Sequence, residues 1–291
     1  MQPGPHALKT KGPAETSARE RAALLTLLGD EDPGVYEAVR RRILAGGEAE
    51  WLRPHALSAD PLVRRRVQEI LEHEARREAD ERFLGCCLSH GQDLDLEEGA
   101  WLLARTRYPE VNVLAYRALL DVVAGDVRPR IARAACGREV LVHLNDHLFG
   151  ALGYRGNEED YYDPENSYLN RVLDRRCGNP VTLCLVYVLV ARRLQLPVVG
   201  MTKPGHFLCR LQTSTEEIFI DAFHRGRLLT KGDCVRYLVR SSFGYGEGML
   251  GPASPRRILG RMCANLHQSY VRLHLAEEAE RLRRYLVALE R

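Results

Sequence analysis

Apolar residues recur at three- and four-residue steps from residue 17 to about residue 126, and this spacing predicts helices along the whole segment. The stretches 32–43 and 60–71 share one pattern: an aspartate, a proline, and then apolar residues at every fourth position. An aspartate N-cap before a proline in the first turn is typical of a helix start. Two copies, with a weaker echo that begins at Pro109, favour HEAT-like repeats. Any capped amphipathic helix has the same features, so separate helices remain the alternative. The two apolar stripes are Val35, Val39 and Ile43, and Val63, Val67 and Leu71.

The helical pattern continues over residues 127–151, and Ser167 is placed to cap a further helix. Asn179 and Pro180 then provide an N-cap and a first-turn proline for a helix that runs to Arg193. This helix is apolar on nearly all sides, which predicts that it is buried.

After Pro197 the hydrophobic period changes to two, and "PVVGM", "HFLCRL" and "EIFIDAF" predict three short antiparallel strands within 197–224. These strands are expected to pack on the helix that begins at Pro180. The glycine-rich stretch 244–252 is predicted to be a linker, because it lacks the Lys-Ser/Thr ending of a phosphate-binding loop. From Ser254 onward the helical period returns and predicts a helical hairpin.

These patterns predict an α+β chain that is mostly α, in four parts. Residues 1–16, rich in proline, glycine and lysine, are expected to be disordered. A HEAT-like helical segment follows over 17–94, then a core domain over 95–245 with one small antiparallel sheet. The C-terminal hairpin occupies 254–291 and has the size of about one tetratricopeptide unit.

Composition narrows the range of partners. The formal net charge is only +3, and most arginines stand beside Asp or Glu, so no nucleic-acid partner is expected. The longest apolar run, 180–191, is about twelve residues, short of the roughly 20 that span a bilayer, and the N-terminus has no apolar core typical of a signal peptide. Eight cysteines are scattered along the chain without a CxxC pair, which indicates a protein of a reducing compartment. Their spacing does not match that of a zinc site. We therefore expect a cytoplasmic protein with no cofactor, no metal and no membrane partner.

The candidate chemistry centres on His206, Asp221 and the start of the helix at Pro180. A sulfur nucleophile needs a base to take its proton, and the base needs a carboxylate to hold its tautomer. Here the base and the carboxylate are present in a strand-rich segment that follows a buried helix.

Residues 144–210 and 219–230 resemble the SirB-type transglutaminase-like family of the papain superfamily, which ends in a tetratricopeptide-like tail. The resemblance covers about residues 95–290. It implies that His206 and Asp221 match the family's histidine and aspartate. The family's nucleophilic cysteine position falls on Pro180, which can neither attack nor be activated. The hydroxyl of Thr182, in the same turn, would need strong activation by a well-placed base before it could act as a nucleophile.

Two cysteines are the alternative nucleophiles. Cys184 lies one turn beyond Pro180 in an apolar run, where a core role is favoured. Cys177 lies just before the helix, next to two arginines that could lower a thiol pKa. Cys209 is three residues beyond His206 on the same strand and should point to the opposite face. The remaining residues expected at the cleft are Asn166, Asn179, Pro180, Thr182 and Phe207, with Tyr161 and Tyr162 at its rim.

Three functions remain open from the sequence. The favoured one is a degenerate transglutaminase-like protein, a pseudoenzyme that binds a protein or peptide partner as a scaffold or regulatory module. The second is an active thiol hydrolase or acyltransferase that uses Cys184 or Cys177 with His206 and Asp221. The third is a helical-repeat adaptor in which the cleft has no role.

Overall fold

The computed structural model of the chain describes residues 17–47, 49–89, 94–203, 205–240 and 250–290. The chain forms two compact units that divide between Glu78 and Ala79, inside one long helix. The boundary predicted from the sequence is near residue 94 instead. The predicted disordered segment 1–16 lies outside the described residues, as does most of the predicted linker 244–252.

The first unit consists of helices. They are α1 (Ala18–Leu27), α2 (Pro33–Ala45), a 3₁₀ helix (Glu50–Leu57) and the first part of α3 (Pro61–Ser89). The sequence predicts the starts of two of them, α2 and α3. The Asp32 carboxylate accepts a hydrogen bond of 2.6 Å from the Gly34 N–H, and Asp60 accepts one of 2.8 Å from the Leu62 N–H. The stripe residues Val39, Ile43 and Val67 are buried in one cluster. The two predicted helix starts and their apolar stripes are confirmed.

The second unit contains most of the helices. They are the end of α3, α4 (Leu96–Arg105), α5 (Val113–Ile131), α6 (Gly137–Asn145), α7 (Leu169–Arg175), α8 (Pro180–Arg193), α9 (Lys231–Arg240), α10 (Pro255–Arg272) and α11 (Ala276–Glu290). A π-helical segment, Asp146–Ala151, continues α6. Across the described ranges, no helix is both long enough and apolar enough to cross a bilayer.

Three helix predictions in this unit are wrong in detail. The echo at Pro109 does not start a helix, because Asn112 caps α5 instead and accepts a 3.1 Å hydrogen bond from the Ala115 N–H. Residues 132–136 interrupt the predicted continuous helix between α5 and α6. Ser167 does not cap α7, since its hydroxyl accepts a 2.7 Å hydrogen bond from Asn179 Nδ2.

Four antiparallel strands form the main sheet, in the order β3-β4-β5-β6. The predicted strands are confirmed, and β6 extends the sheet beyond residue 224, where no strand is predicted. A separate parallel pair, β1 with β2, aligns Gly156 with Gly178 ahead of α8. The strands are β1 (Arg155–Gly156), β2 (Cys177–Gly178), β3 (Val198–Lys203), β4 (His206–Gln212), β5 (Glu217–Asp221) and β6 (Arg227–Leu229).

Helices cover both faces of the main sheet. Alternate residues of β4, among them Phe207 and Cys209, share one buried cluster with α8. The intervening Leu208 packs in a second cluster with Cys234 and Leu238 of α9. Successive side chains of a strand point to opposite faces, so the period-two pattern gives both layers. The mostly α, α+β class is thereby confirmed.

The C-terminal hairpin of α10 and α11 shares the core of the second unit. Leu259 and Tyr285 are fully buried in the same cluster as α8. The Arg256 guanidinium donates to the main-chain carbonyls of Cys87, Ala288 and Leu289, at 2.6–2.7 Å. The hairpin is therefore part of the layer that supports the site.

Candidate functional site

His206, Asp221 and His224 lie together where β4 begins and β5 ends. His206 Nε2 is 2.9 Å from Asp221 Oδ2, and His224 Nδ1 is 2.9 Å from the same oxygen. The expected pairing of His206 with Asp221 across adjacent strands is confirmed. The carboxylate is nearly buried, the His206 side chain is 13% exposed, and that of His224 is 52% exposed. The cluster therefore has a buried carboxylate, a largely buried base and an open edge at His224.

The carboxylate of Asp221 is held in its ionised form. Burial alone would raise its pKa, but the hydrogen bonds and charges of His206 and His224 outweigh burial and hold the pKa at about 2. An ionised carboxylate only accepts hydrogen bonds, so His206 Nε2 and His224 Nδ1 are the donors. When neutral, His206 then carries its lone pair on Nδ1. As in a catalytic histidine–aspartate pair, the proton lies on the nitrogen that faces the carboxylate, but the two ring nitrogens have exchanged places: Nε2 faces Asp221, and Nδ1 is the basic nitrogen.

A tight turn after β5 positions His224, which the sequence analysis did not identify. The His224 N–H donates to Asp221 Oδ1 at 3.2 Å, and the Gly226 N–H donates to the Asp221 carbonyl at 2.8 Å. Asn145 Nδ2 donates to the Gly226 carbonyl at 2.6 Å and ties the turn to α6. An aspartate followed three residues later by histidine, at the end of a predicted strand, is the sequence signal that could have identified His224.

Aromatic rings continue from the histidines along the surface. The ring of Phe223 packs edge-on against His206, with centroids 6.1 Å apart, and against Tyr161 at 6.0 Å. Tyr161 contacts Tyr162 at 5.2 Å, and the Arg272 guanidinium lies 3.7 Å above the Tyr162 ring. We refer to Tyr161, Tyr162 and Phe223 as the aromatic rim. The placement of both tyrosines beside the site agrees with the sequence expectation.

Asn166 fixes the loop that carries the two tyrosines. Its side chain is fully buried, and Nδ2 donates to the carbonyls of Asp160 at 2.7 Å and Tyr161 at 3.3 Å. Asn157 Nδ2 donates to Asn166 Oδ1 at 3.0 Å. Asn166 therefore supports the rim from below, and its side chain is not exposed to a ligand.

The start of α8 is closed. Asn179 Oδ1 accepts the Thr182 N–H at 3.1 Å and the Thr182 hydroxyl at 3.2 Å, as an N-cap does. Pro180 offers neither an N–H nor a reactive side chain, and it is buried together with Asn179 and Thr182. The predicted cap is confirmed. The cap occupies the donors that a helix N-terminus would otherwise direct at a ligand.

The two sulfurs beneath the sheet are directed at backbone carbonyls. Cys184 Sγ donates to the Phe207 carbonyl at 3.6 Å, and Cys209 Sγ donates to the Cys184 carbonyl at 3.5 Å. Burial, and then the interaction with Cys209, raise the pKa of the Cys184 thiol well above its usual value. A thiol must be a thiolate to attack, so this environment is unfavourable to a nucleophile.

Cys177 is buried in β2, and the two arginines before it have partners of their own: Arg175 pairs with Asp163 at 2.6 Å, and Arg176 donates to the Leu152 carbonyl at 3.0 Å. The predicted place of Phe207 needs revision. Phe207 does not line the cleft. It is buried in the core against α8, because it alternates with His206 along β4.

The same three residues present a donor set suited to a metal ion. His206 Nε2, an oxygen of Asp221 and a ring nitrogen of His224 all lie within 4.8 Å of one another. The sequence predicts no metal, because it contains no zinc-ligand spacing. Only the β4–β5 register and the turn after β5 bring residues 206, 221 and 224 together.

Comparison with known proteins identifies relatives of most of the second unit. Residues 114–264 match the transglutaminase-like superfamily, which is 151 of 291 residues. A UPF0162 protein of Xylella fastidiosa is 37% identical over 198 residues, 65% of this chain and 70% of the relative. A UPF0162 protein of Vibrio cholerae is 27% identical over 204 residues, 65% of this chain and 72% of the relative. F-box only protein 21 of Homo sapiens is 35% identical over 136 residues, 44% of this chain and 21% of that protein. No solved structure matches the chain.

Proposed function

The chain belongs to the transglutaminase-like superfamily, and from that premise we propose that it is a non-catalytic member that binds a protein or peptide. The observation that carries the proposal is the start of α8. The superfamily position expected to hold the nucleophile falls on buried Pro180, and the first thiol of the helix, Cys184, is bonded to the Phe207 carbonyl. His206 and Asp221 then form a base without a sulfur to activate.

The aromatic rim supports a binding role for what remains. Tyrosine, phenylalanine and arginine are enriched in protein interfaces because they supply large contact areas with a polar end. Tyr161 is 40% exposed, and Arg272 lies over its neighbour Tyr162. The buried Asn166 network fixes the rim in place, which lowers the entropy lost when a partner binds.

Three finer assignments belong to the same proposal. We infer the SirB-type branch, and the α10–α11 hairpin in the place of a tetratricopeptide-like tail supports it. The eight free cysteines support a reducing, cytoplasmic location. The capped helices of the first unit support a HEAT-like scaffold role for residues 17–94.

Cysteine labelling tests the absence of catalysis. In native protein, Cys184 and Cys177 should react slowly with iodoacetamide at neutral pH, and His206→Ala should leave both rates unchanged. Mass spectrometry of the labelled peptides measures each rate, and the exposed Cys136 is the internal control for reagent activity. An active thiol hydrolase or acyltransferase predicts the opposite. Rapid labelling of Cys177 or Cys184 that slows in His206→Ala would refute the non-catalytic proposal.

Selection from a displayed peptide library tests the binding role. Peptides enriched on the wild-type protein should lose affinity for Tyr161→Ala by roughly 30-fold, equivalent to about 2 kcal/mol for an aromatic anchor. The control is Leu57→Ala, which truncates a side chain that is 88% exposed in the first unit. Peptides that bind both variants equally would place the binding surface away from the rim.

A further inference from the structure

We infer that His206, Asp221 and His224 bind a divalent transition-metal ion such as Zn²⁺. The ligand atoms are His206 Nε2, a carboxylate oxygen of Asp221 and His224 Nδ1. They form a two-histidine, one-carboxylate set that leaves coordination positions open. The inference does not rest on the proposed function, because it concerns the affinity of the protein for the metal alone.

The spacing of the donor atoms suits a metal. Zinc–nitrogen and zinc–oxygen bonds of about 2.0–2.2 Å at angles near 90–110° separate ligand atoms by roughly 2.9–3.5 Å. Both nitrogens already lie 2.9 Å from Asp221 Oδ2. A ring nitrogen of His206 and one of His224 lie within 4.8 Å of each other, and movement of the exposed His224 ring can shorten that distance. Metal binding displaces the protons that His206 Nε2 and His224 Nδ1 donate to Asp221, and in each neutral ring the proton then lies on the other nitrogen.

The surroundings hold the ligands as a metal site requires. The backbone N–H of His224 fixes Asp221 Oδ1, which leaves Oδ2 directed at both rings. Outer-shell hydrogen bonds of this kind orient metal ligands. Among the described residues, the ionic partners of Asp221 are the two histidines, so neither an arginine nor a lysine there competes with a cation. The half-exposed His224 provides the route of entry.

The donor types select the metal class. Imidazole nitrogen suits Zn²⁺, Cu²⁺, Ni²⁺ and Fe²⁺, whereas Mg²⁺ and Ca²⁺ prefer sites made of oxygen ligands. Three protein ligands leave at least one position of a tetrahedral ion unfilled. A water molecule would complete the coordination of the bound ion.

Calorimetric titration of the full chain, without an affinity tag, tests the site with Zn²⁺ as the probe. We expect one saturable site per chain. Loss of an outer-shell partner alone weakens metal affinity by roughly 10–100-fold, so loss of a ligand in His224→Gln should weaken it by at least about 100-fold. His206→Gln should do the same. His73→Gln, which changes an exposed histidine on α3, is the matched control and should bind as the wild type does.

Co²⁺ absorption distinguishes this site from thiol binding. The His206–Asp221–His224 site predicts visible d–d bands without sulfur-to-metal charge-transfer bands, and His224→Gln should abolish them. Far-ultraviolet circular dichroism checks that each variant is folded. Absence of saturable Zn²⁺ binding in the wild type would overturn the inference. Binding that survives in folded His224→Gln, or that shows thiolate charge transfer, would equally overturn it and leave the three residues as a hydrogen-bonded cluster only.

Discussion

Gly156 lies against the aromatic rim, and Gly156→Ala should displace Phe223 while His206 and Asp221 stay paired. The Cβ atom of an alanine at this position would lie 2.6 Å from two carbons of the Phe223 ring. Non-bonded carbon atoms pack at about 3.5–4.0 Å, so the ring must move by roughly 1 Å. Overpacking of this kind costs about 1–3 kcal/mol. Phe223 lies at the border of the core and is 8% exposed, so we expect the lower half of that range.

Urea denaturation followed by circular dichroism measures the cost of Gly156→Ala, and near-ultraviolet dichroism reports the aromatic environment. Gly125→Ala is the matched control, because a Cβ atom there meets nothing within 4 Å. Gly125 lies inside α5, so alanine should stabilise that helix by up to about 1 kcal/mol. A Gly156→Ala protein with wild-type stability and an unchanged near-ultraviolet spectrum would refute the packing of Phe223 on β1.

Two further predictions concern the turn after β5. The pKa of Asp221 is about 2, against an ordinary 3.8. Above about pH 4 the ionised carboxylate should therefore contribute roughly 2 kcal/mol to the free energy of unfolding. That contribution should be lost as the pH falls through 2. Urea denaturation at pH 5 and pH 2.5 measures the difference in stability between the wild type and Asp221→Asn, and this difference should be smaller at pH 2.5. An equal difference at the two pH values would contradict the lowered pKa of Asp221. Gly226→Ala should cost about 2–4 kcal/mol, since φ is 73° and the new Cβ would lie 2.6 Å from Asn145 Oδ1; a loss below 1 kcal/mol by the same assay would show that the turn relaxes freely.

Signals confined to a few neighbouring residues predict the structure well. Asn179 and Pro180 identify the start of α8 because an N-cap and a first-turn proline act within one turn of helix. The alternation along β4 and β5 identifies both strands, and with them the pairing of His206 and Asp221. The same alternation places Phe207 in the core, because Phe207 points to the face opposite His206. The prediction that Phe207 lines the cleft does not follow this alternation.

Features that depend on distant partners are harder to predict. In the sequence the Ser167 hydroxyl is placed to cap α7, but in the structure it accepts a hydrogen bond from Asn179, twelve residues later. The strand β6 has three residues, too few to show a period of two, and its existence depends on the turn that Asn145 holds from α6. His224 joins the site through that turn. Its role is therefore visible only once the register of β5 is known.

The shared core of α10 and α11 limits how the domain can be divided or transferred. Leu259 and Tyr285 belong to the hydrophobic cluster that surrounds α8. Arg256 donates hydrogen bonds to main-chain carbonyls at the ends of two other helices. A fragment that stops before Ser254 would expose to water the buried apolar residues that pack around α8. It would also remove the hydrogen bonds that Arg256 donates to the main-chain carbonyls. The shortest portable version of this domain therefore extends from the end of α3 to the last turn of α11. Fusion partners belong at those two ends and not between the sheet and the hairpin.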